Sequence, residues 1–464
     1  DAEKERLYRQ SAAAERADIS TIHAFCLGVL RRHFQAVGLD PSFRTASEAE
    51  AGVIAAEALD AVFTEKYAAP DDGFRLLLEA YGRKDDAALQ NCVLALHRQL
   101  SALPDREAYK TLSLAKYDAG AVGGLPMVCR MLEDIGECLG MCQSSLLEAA
   151  SICGDGFPAT RAHLLLEAEA AGGLIEASKE SPEAFAAAAK AYSLPRLPQE
   201  RQEPQERRAR ALALREAAKK RIREILDEPW LRDVPASYAD LPLCRAQAAA
   251  LFDLAEAFDA VFSEMKRAKN VIDYADMERM AYRALLDPAI AAEYRARYDH
   301  VFIDEYQDTS FLQEAVLSCV CREDNFFAVG DVKQSIYRFR QAQPDLFMRR
   351  YGEYGRGRGG RRIDLNRNYR SGRAVVETVN AVFGPIMTRE AGGVDYGENE
   401  RLTGWRDVDG ACELLVVCNA DPADPADPVA KVSNAEREAR AAANRLIALK
   451  AGGSYRWRDM VVLM

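Results

Sequence analysis

No stretch of this sequence supplies the run of about eighteen apolar residues that a membrane-spanning helix requires, so the sequence excludes a spanning segment. No CxxC pair occurs among the 11 cysteines, and only five histidines accompany them. Cys138 and Cys142 fit one helix face and Cys319 and Cys321 flank Val320, but neither has a second such pair nearby, which leaves a zinc site without its usual ligand spacing. The cysteines therefore read as reduced and mostly buried, as in a cytosolic protein. An excess of basic charge is missing too: 61 Lys and Arg stand against 72 Asp and Glu, a net charge of −11. That excludes a uniformly basic, histone-like protein but not a local nucleic-acid groove. No long-period repeat is present. The chain opens on Asp1, without methionine, and runs on charged, so no signal segment is visible and the chain is expected to be an internal piece of something longer.

What is present describes a globular chain. It has 464 residues, 49% hydrophobic and 29% charged, enough for about three domains. The first half is alanine-rich with helical periodicity over 48–66, 84–101, 126–150 and 159–192. Over 251–266, Leu251, Leu254, Phe258, Val261, Phe262 and Met265 share one helix side. The arginine-rich 194–221 mixes both charge signs and reads as a solvated helix or loop. At about residue 300 the character changes. His300–Asp304 and Asn325–Gly330 are short apolar runs ending in polar residues, expected as buried parallel strands with chemistry at their carboxyl ends. Residues 352–360, with five glycines, read as a linker. Further on, a helix is expected near 372–383, strands at 411–417 and 460–464, and a proline-broken loop at 420–428.

Four segments carry chemistry. VFIDEYQDTS delivers Asp304 and Glu305 to a strand end, where one carboxylate suits a hard cation and its neighbour can orient or deprotonate water. The plain alternative is an acidic turn with Asp308 or Thr309 capping the next helix. In GDVKQSIYRFR, Gln334 suits a terminal phosphate or water, while Tyr337 and Phe339 alternate with Arg338 and Arg340. That alternation serves single-stranded nucleic acid or a core aromatic pair equally well. In IDLNRNYRS, Tyr369 offers a stacking ring and Arg370 a planar cation, against the alternative of a helix start capped by Ser371. ISTIHAFC places Thr21 and His23 at the end of an apolar stretch, where a structural histidine is the plain reading. Asp273 and Asp276 read as helix caps, and Arg349, Arg350, Arg356, Arg358, Arg361 and Arg362 as a solvated basic loop or a phosphate contact.

In order, TIHAFC, DEYQDTS, VGDVKQSIYRFR and LNRNYRS resemble the superfamily 1A helicases of the UvrD/Rep/PcrA type. TIH in place of TFH, and QPDLF after the third segment, resemble the AddA-type subunits of AddAB helicase–nucleases, relatives of RecB. The resemblance implies an α/β fold with P-loop NTPase, RecA-like parallel sheets. Residues 1–45 and 269–352 would form the first RecA-like domain, interrupted by an all-helical insertion at 46–268. A hinge at 353–360 would precede the beginning of a second RecA-like domain at 361–464. It implies ATP and Mg²⁺ as cofactors, with Asp304 holding Mg²⁺ and Glu305 as general base. Gln334 would sense the γ-phosphate, Arg370 would be the arginine finger and Tyr369 would stack on adenine. Thr21, Ile22 and His23 would line a single-strand track, with Tyr337 and Phe339 stacking on bases beside Arg340. The implied function is 3′ to 5′ translocation on single-stranded DNA in double-strand-break repair and recombination. The implied partners are single- and double-stranded DNA and an AddB-type nuclease subunit in a heterodimer, with no membrane, in the cytoplasm at the nucleoid. Two departures stand out: Phe339 replaces a common tryptophan, and Gln341-Ala342 replaces Gly-Ala.

No GxxxxGK[ST] occurs in the chain. In the resembled family it precedes TIH, so it is expected upstream of Asp1, with the later motifs and the nuclease domain beyond Met464; alone, the chain is expected to bind ATP poorly. The rival readings are a UvrD-like repair helicase without nuclease, and an ATPase-inactive scaffold for DNA or a partner.

Overall fold

Short polar residues placed ahead of apolar periodicity start most of the helices. Ser47, Asp71, Asp105, Ser181, Asp233, Asp273, Asp287 and Ser310 each accept a backbone N–H of the turn they open. A computed structural model describes residues 2–14, 17–82, 85–117, 124–194, 196–200, 205–388, 393–407, 410–417, 432–453 and 455–463. The chain forms two units, residues 1–330 with 336–346, and residues 331–335 with 347–464.

The first unit runs α1 (Ala2–Ala14), α2 (Ile22–Arg32), β1 (Arg44–Thr45), α3 (Glu48–Ala68), α4 (Asp72–Tyr81), α5 (Ala87–Ser101), α6 (Arg106–Ala115) and α7 (Pro126–Cys153). It continues through α8 (Pro158–Glu180), α9 (Pro182–Ala191), α10 (Gln205–Leu226), α11 (Val234–Tyr238) and α12 (Leu241–Ala268). Then come β2 (Val271–Ile272), α13 (Tyr274–Leu285), α14 (Pro288–Arg297), β3 (Val301–Ile303), α15 (Phe311–Val320) and β4 (Phe326–Ala328). With β1 parallel to β2 and β3 parallel to β4, the architecture is α/β, dominated by helices.

Three apolar cores organise this unit. One joins α2, α13, α14 and α15 through Cys26, Leu30, Met277, Tyr294 and Val316. A second joins α3, α4, α5 and α12 through Ile54, Phe63, Phe74, Val93 and Phe258. The third is a bundle of α7 to α11 around Leu139, Leu146, Phe157, Leu164 and Phe185. The β1–β2 pair brackets residues 46–270. Because successive strand residues face opposite ways, Val271 enters the second core and Ile272 the first. A partly buried charge cluster joins the same two cores. Asp259 of α12 accepts from His97 at 2.9 Å, Arg106 at 2.8 Å and Arg279 at 3.1 Å. Lys266 lies 2.6 Å from both Asp273 and Asp276. Burial alone would raise the Asp259 carboxyl, but the His97 hydrogen bond and the two guanidiniums hold it well below the usual carboxylate range.

Several expectations need correcting. The helical run at 159–192 breaks at Ser181-Pro182, where proline opens a new helix. Within the arginine-rich stretch, α10 is not solvated all round. Ala211, Ala218, Ile222 and Ile225 enter the bundle core, and Arg215 is buried against Glu167. The strands β3 and β4 are not buried on both faces: Phe302 is 69% and Phe327 50% exposed, and among the described residues the sheet has two strands with its other face half-buried. Asp273 caps α13 as expected, in a reciprocal box with Asp276.

The second unit takes up the end of α16 (Pro344–Gly355), then β5 (Arg367–Gly372), α17 (Arg373–Ile386), β6 (Thr403–Arg406) and α18 (Asn434–Ala451). Strands β5 and β6 are parallel with α17 as their crossover. Asn380 staples the unit: its amide donates to the Leu402 carbonyl at 2.8 Å, and its oxygen accepts from Tyr396 at 2.6 Å. At Gly404 a Cβ would stand 3.2 Å from the Arg373 backbone, so helix and strand meet closely there. The glycine-rich stretch does not begin as a linker, since α16 runs through Gly355; left-handed Gly357 and Gly359 end it. Residues 411–417 and 460–463 are not strands, there being no partner for them among the described residues. The loop expected at 420–428 lies outside the described residues.

Candidate functional site

The carboxyl ends of β3 and β4 lie side by side. Val301 pairs with Phe326 and Ile303 with Ala328. The ladder continues past both strands, with the Val329 N–H donating to the Ile303 carbonyl at 2.8 Å and the Tyr306 N–H to the Val329 carbonyl at 2.9 Å. Between those two bonds the chain turns sharply at Asp304 and Glu305. Glu305 sits in the left-handed region, φ 51° and ψ 43°, a conformation that costs a non-glycine residue about 1 kcal/mol or more.

The surroundings hold this turn in place. Tyr306 is buried, donates to Glu314 at 2.7 Å and meets Phe326 edge-on at 5.7 Å. Gln307 is buried and its amide donates to the Glu305 carboxylate at 2.7 Å. The Glu305 N–H donates to Asp304 Oδ1 at 3.0 Å. Both carboxylates are exposed. The cap of α15 is Ser310, in a reciprocal box with Gln313, not Asp308 or Thr309. Asp304 and Glu305 are thus free of capping duty.

Beyond β4, Tyr337 and Phe339 form an exposed pair with ring centroids 5.9 Å apart, 39% and 69% exposed. The Arg340 guanidinium lies 5.6 Å from one ring and 5.7 Å from the other. They are not a core pair. Gln341 ends this turn with φ 68°, so the departure noted at that position puts a strained residue where glycine is strain-free. The buried Ala342 donates to the Tyr337 carbonyl at 3.2 Å, and the Gln343 N–H donates to the Thr309 carbonyl at 2.9 Å. The aromatic turn is therefore bonded to the loop that follows Asp304 and Glu305.

Thr21 caps α2, accepting from the Ala24 N–H at 3.3 Å, and Ile22 packs on the first core. His23 is half-exposed, 3.1 Å from Glu278 and edge-on to Tyr274 at 5.1 Å. Glu278 also accepts from the Gln313 amide at 2.7 Å, linking the TIH segment to α15.

The second unit holds the remaining candidates. Gln334 donates to Asp331 at 3.0 Å, and Lys333 lies 2.8 Å from the same carboxylate. Burial would raise Asp331, but the Lys333 and Gln334 hydrogen bonds outweigh it and lower the carboxyl from its ordinary value. On β5, Tyr369 is exposed beside Trp405 of β6, centroids 5.6 Å apart, with Arg367 over Trp405 at 5.0 Å. Arg370 is exposed, and its carbonyl accepts from Arg406 at 3.1 Å. Ser371 lies within β5, and Gly372 precedes α17 in its place as cap.

Glu278, Gln307, Asp331 and Trp405 are not evident as site residues from sequence. Gln307 and Asp331 stand inside segments already singled out, but Glu278 and Trp405 give no local signal. No cluster of three or more metal-ligating side chains occurs among the described residues, and no described helix is long and apolar enough to cross a membrane.

The A-type subunit of the ATP-dependent helicase/nuclease of Syntrophomonas wolfei is 34% identical over 408 residues, 85% of this chain and 33% of that protein. The protein of that name from Moorella thermoacetica is 36% identical over 434 residues, 87% of this chain and 30% of its own length. That from Bacillus cereus strain AH820 is 31% identical over 498 residues, 98% and 40% respectively. The chain thus spans about a third of the length of the curated relatives it matches. The UvrD/REP helicase N-terminal domain matches residues 3–355, a stretch that includes the β3 turn, the aromatic turn and the TIH segment, and the chain belongs to that family.

Proposed function

We propose that this chain is motor sequence of an ATP-dependent DNA helicase, of the AddA kind found in helicase/nucleases, moving 3′ to 5′ along single-stranded DNA during double-strand-break repair and recombination. The observation that carries the reading is the bond from Gln343 to Thr309. It fastens an exposed aromatic and arginine turn to the loop bearing two exposed carboxylates. A nucleotide site and a base-stacking site joined this directly are what a motor that couples hydrolysis to stepping requires.

In this reading residues 1–45 and 269–352 are a RecA-like domain, 46–268 its helical insertion, and 361–464 the beginning of a second such domain, with the hinge in the glycine-rich residues after α16 ends at Gly355. The Asp304 carboxylate is a hard oxygen donor, suited to Mg²⁺; that ion, when bound, offsets charge on the ATP phosphates. Glu305 accepts a proton from the attacking water, with Gln307 fixing one of its oxygens. Gln334 and Arg370 face phosphate, and Tyr369 stacks on adenine. Tyr337 and Phe339 stack on bases, Arg340 pairs with phosphate or ring, and Thr21, Ile22 and His23 extend the strand's path. An AddB-type nuclease is the proposed partner, in the cytoplasm.

Two measurements test this. Fluorescence anisotropy with labelled oligo(dT) should show the chain binding single strands, and Y337A/F339A weakening that binding at least tenfold, since each stack is worth about 1–3 kcal/mol. In the complete gene product, E305Q should lower ATPase kcat by two or more orders of magnitude with KM little changed. Unchanged affinity in the first and unchanged kcat in the second would overturn the reading.

A further inference from the structure

Glu278 is 7% exposed, yet it sits between a half-exposed histidine and the helix that follows the DEYQDTS loop. A carboxylate withdrawn from water this far needs donors. Among the described residues the Gln313 amide donates to it at 2.7 Å, and His23 Nε2 lies 3.1 Å from the same oxygen as an ion-pair neighbour. Among the described residues, His23 is the only basic side chain paired with it. Burial, and after it the negative charge of Glu278, pushes the neighbouring Cys26 thiol up to about 12.

This pairing determines what His23 offers a ligand. With Nε2 3.1 Å from the Glu278 carboxylate, a ring proton on Nε2 would face that carboxylate and leave Nδ1 as the remaining polar atom. Tyr274, edge-on at 5.1 Å, limits rotation of the ring. On the other side, the Gln313 oxygen accepts the Ser310 N–H at 3.3 Å, and its own N–H donates to Ser310 Oγ at 3.2 Å. Ser310 adjoins Thr309, whose carbonyl accepts the Gln343 N–H. The path from the TIH segment to the aromatic turn therefore runs through Glu278.

We propose that Glu278 is a positioning residue of the nucleic-acid track, which sets the His23 ring for contact with single-stranded DNA and ties it through Gln313 to the DEYQDTS loop. This rests on the proposed placement of His23 along the strand. A carboxylate with a purely packing role would damage binding independently of His23; one that acts through His23 would not.

A double-mutant cycle separates the two, with oligo(dT) affinity measured for wild type, H23A, E278A and H23A/E278A. Each single change should weaken binding about tenfold, and the pair also about tenfold; a hundredfold additive loss would overturn the proposal. If E278A does not fold, by circular dichroism, the same cycle is run with E278Q, which removes the charge and halves the acceptor capacity. In protein labelled with ¹⁵N-histidine, the His23 ring should be the Nε2–H form and should shift on adding oligo(dT). If His23 stays silent while the oligonucleotide binds, the placement of His23 fails and the proposal with it. If His23 shifts but E278A and E278Q bind like wild type with an unchanged tautomer, the role of Glu278 alone is refuted.

Discussion

Replacing Gln341 by glycine should tighten the turn that presents Tyr337 and Phe339. Gln341 has φ 68° and ψ 17°, so its Cβ crowds its own backbone at a cost of about 1–2 kcal/mol. Glycine removes that cost but frees the unfolded chain, which returns about 0.5–1 kcal/mol. The net gain is about 0.5 kcal/mol, a roughly twofold change in the opening equilibrium. Q341A keeps the strained φ and should be near neutral. Q341V adds β-branching in the left-handed region and should lose about 1 kcal/mol or more.

A whole-molecule melt would blur so small an effect, because a chain with several cores need not unfold in one step. Native-state hydrogen exchange resolves it locally. The amides to follow are Ala342, bonded to the Tyr337 carbonyl, and Gln341, bonded to the Arg338 carbonyl at 2.9 Å. Their protection should rank Q341G above wild type, wild type near Q341A, and Q341V lowest. Faster exchange at Ala342 in Q341G than in wild type, or equal protection in Q341V, would refute the strain argument.

E167A should unfold the α7–α11 bundle early. It removes the buried partner of Arg215, which is bound to both Glu167 oxygens at 2.8–2.9 Å, and leaves that guanidinium only the exposed Glu216 at 2.7 Å; breaking a buried pair costs up to about 3–5 kcal/mol. A thermal melt followed by circular dichroism should show it, and E167L/R215M should recover most of the loss. Cys26, buried, should be among the last cysteines alkylated by iodoacetamide, and exposed Cys129 among the first, as read by mass spectrometry. Because folding raises the Cys26 thiol from 9.0 to about 12, it favours the neutral form. The associated stability is full below about pH 9 and is lost as pH rises toward 12; a native chain that opens no faster at pH 10.5 than at pH 8 would contradict this.

The sequence revealed most where chemistry and local structure coincide. The cap at Asp273, the apolar side of α12 and the strand leading into Asp304 all follow from local spacing. It revealed least where a residue's role depends on a distant partner. Arg215 reads as solvated until Glu167, 48 positions away, is placed against it. Glu278 reads as one more helix acid until His23 and Gln313 converge on it. Residues 411–417 end in the apolar run Leu414–Val417, which suits a strand, but a strand also needs a neighbour, and composition carries no information about that. The bare face of β3 and β4 shows the same limit: apolar runs mark residues suited to burial, not what covers them.

The strained backbone positions sharpen the functional argument. Among the described residues, three non-glycine residues have positive φ: Asn270, Glu305 and Gln341. Asparagine tolerates that region at little cost and here only turns the chain into β2. Glutamate and glutamine do not, so two separate loops carry strain that their local sequence does not relieve. One of those loops bears the paired carboxylates and the other the exposed aromatics. Each is held by what comes after it: buried Tyr306 and Gln307 in the first, buried Ala342 in the second. The Gln343 to Thr309 bond then joins the two holding segments. On the proposed function, strain at these two loops fits preorganisation of a coupled pair of sites.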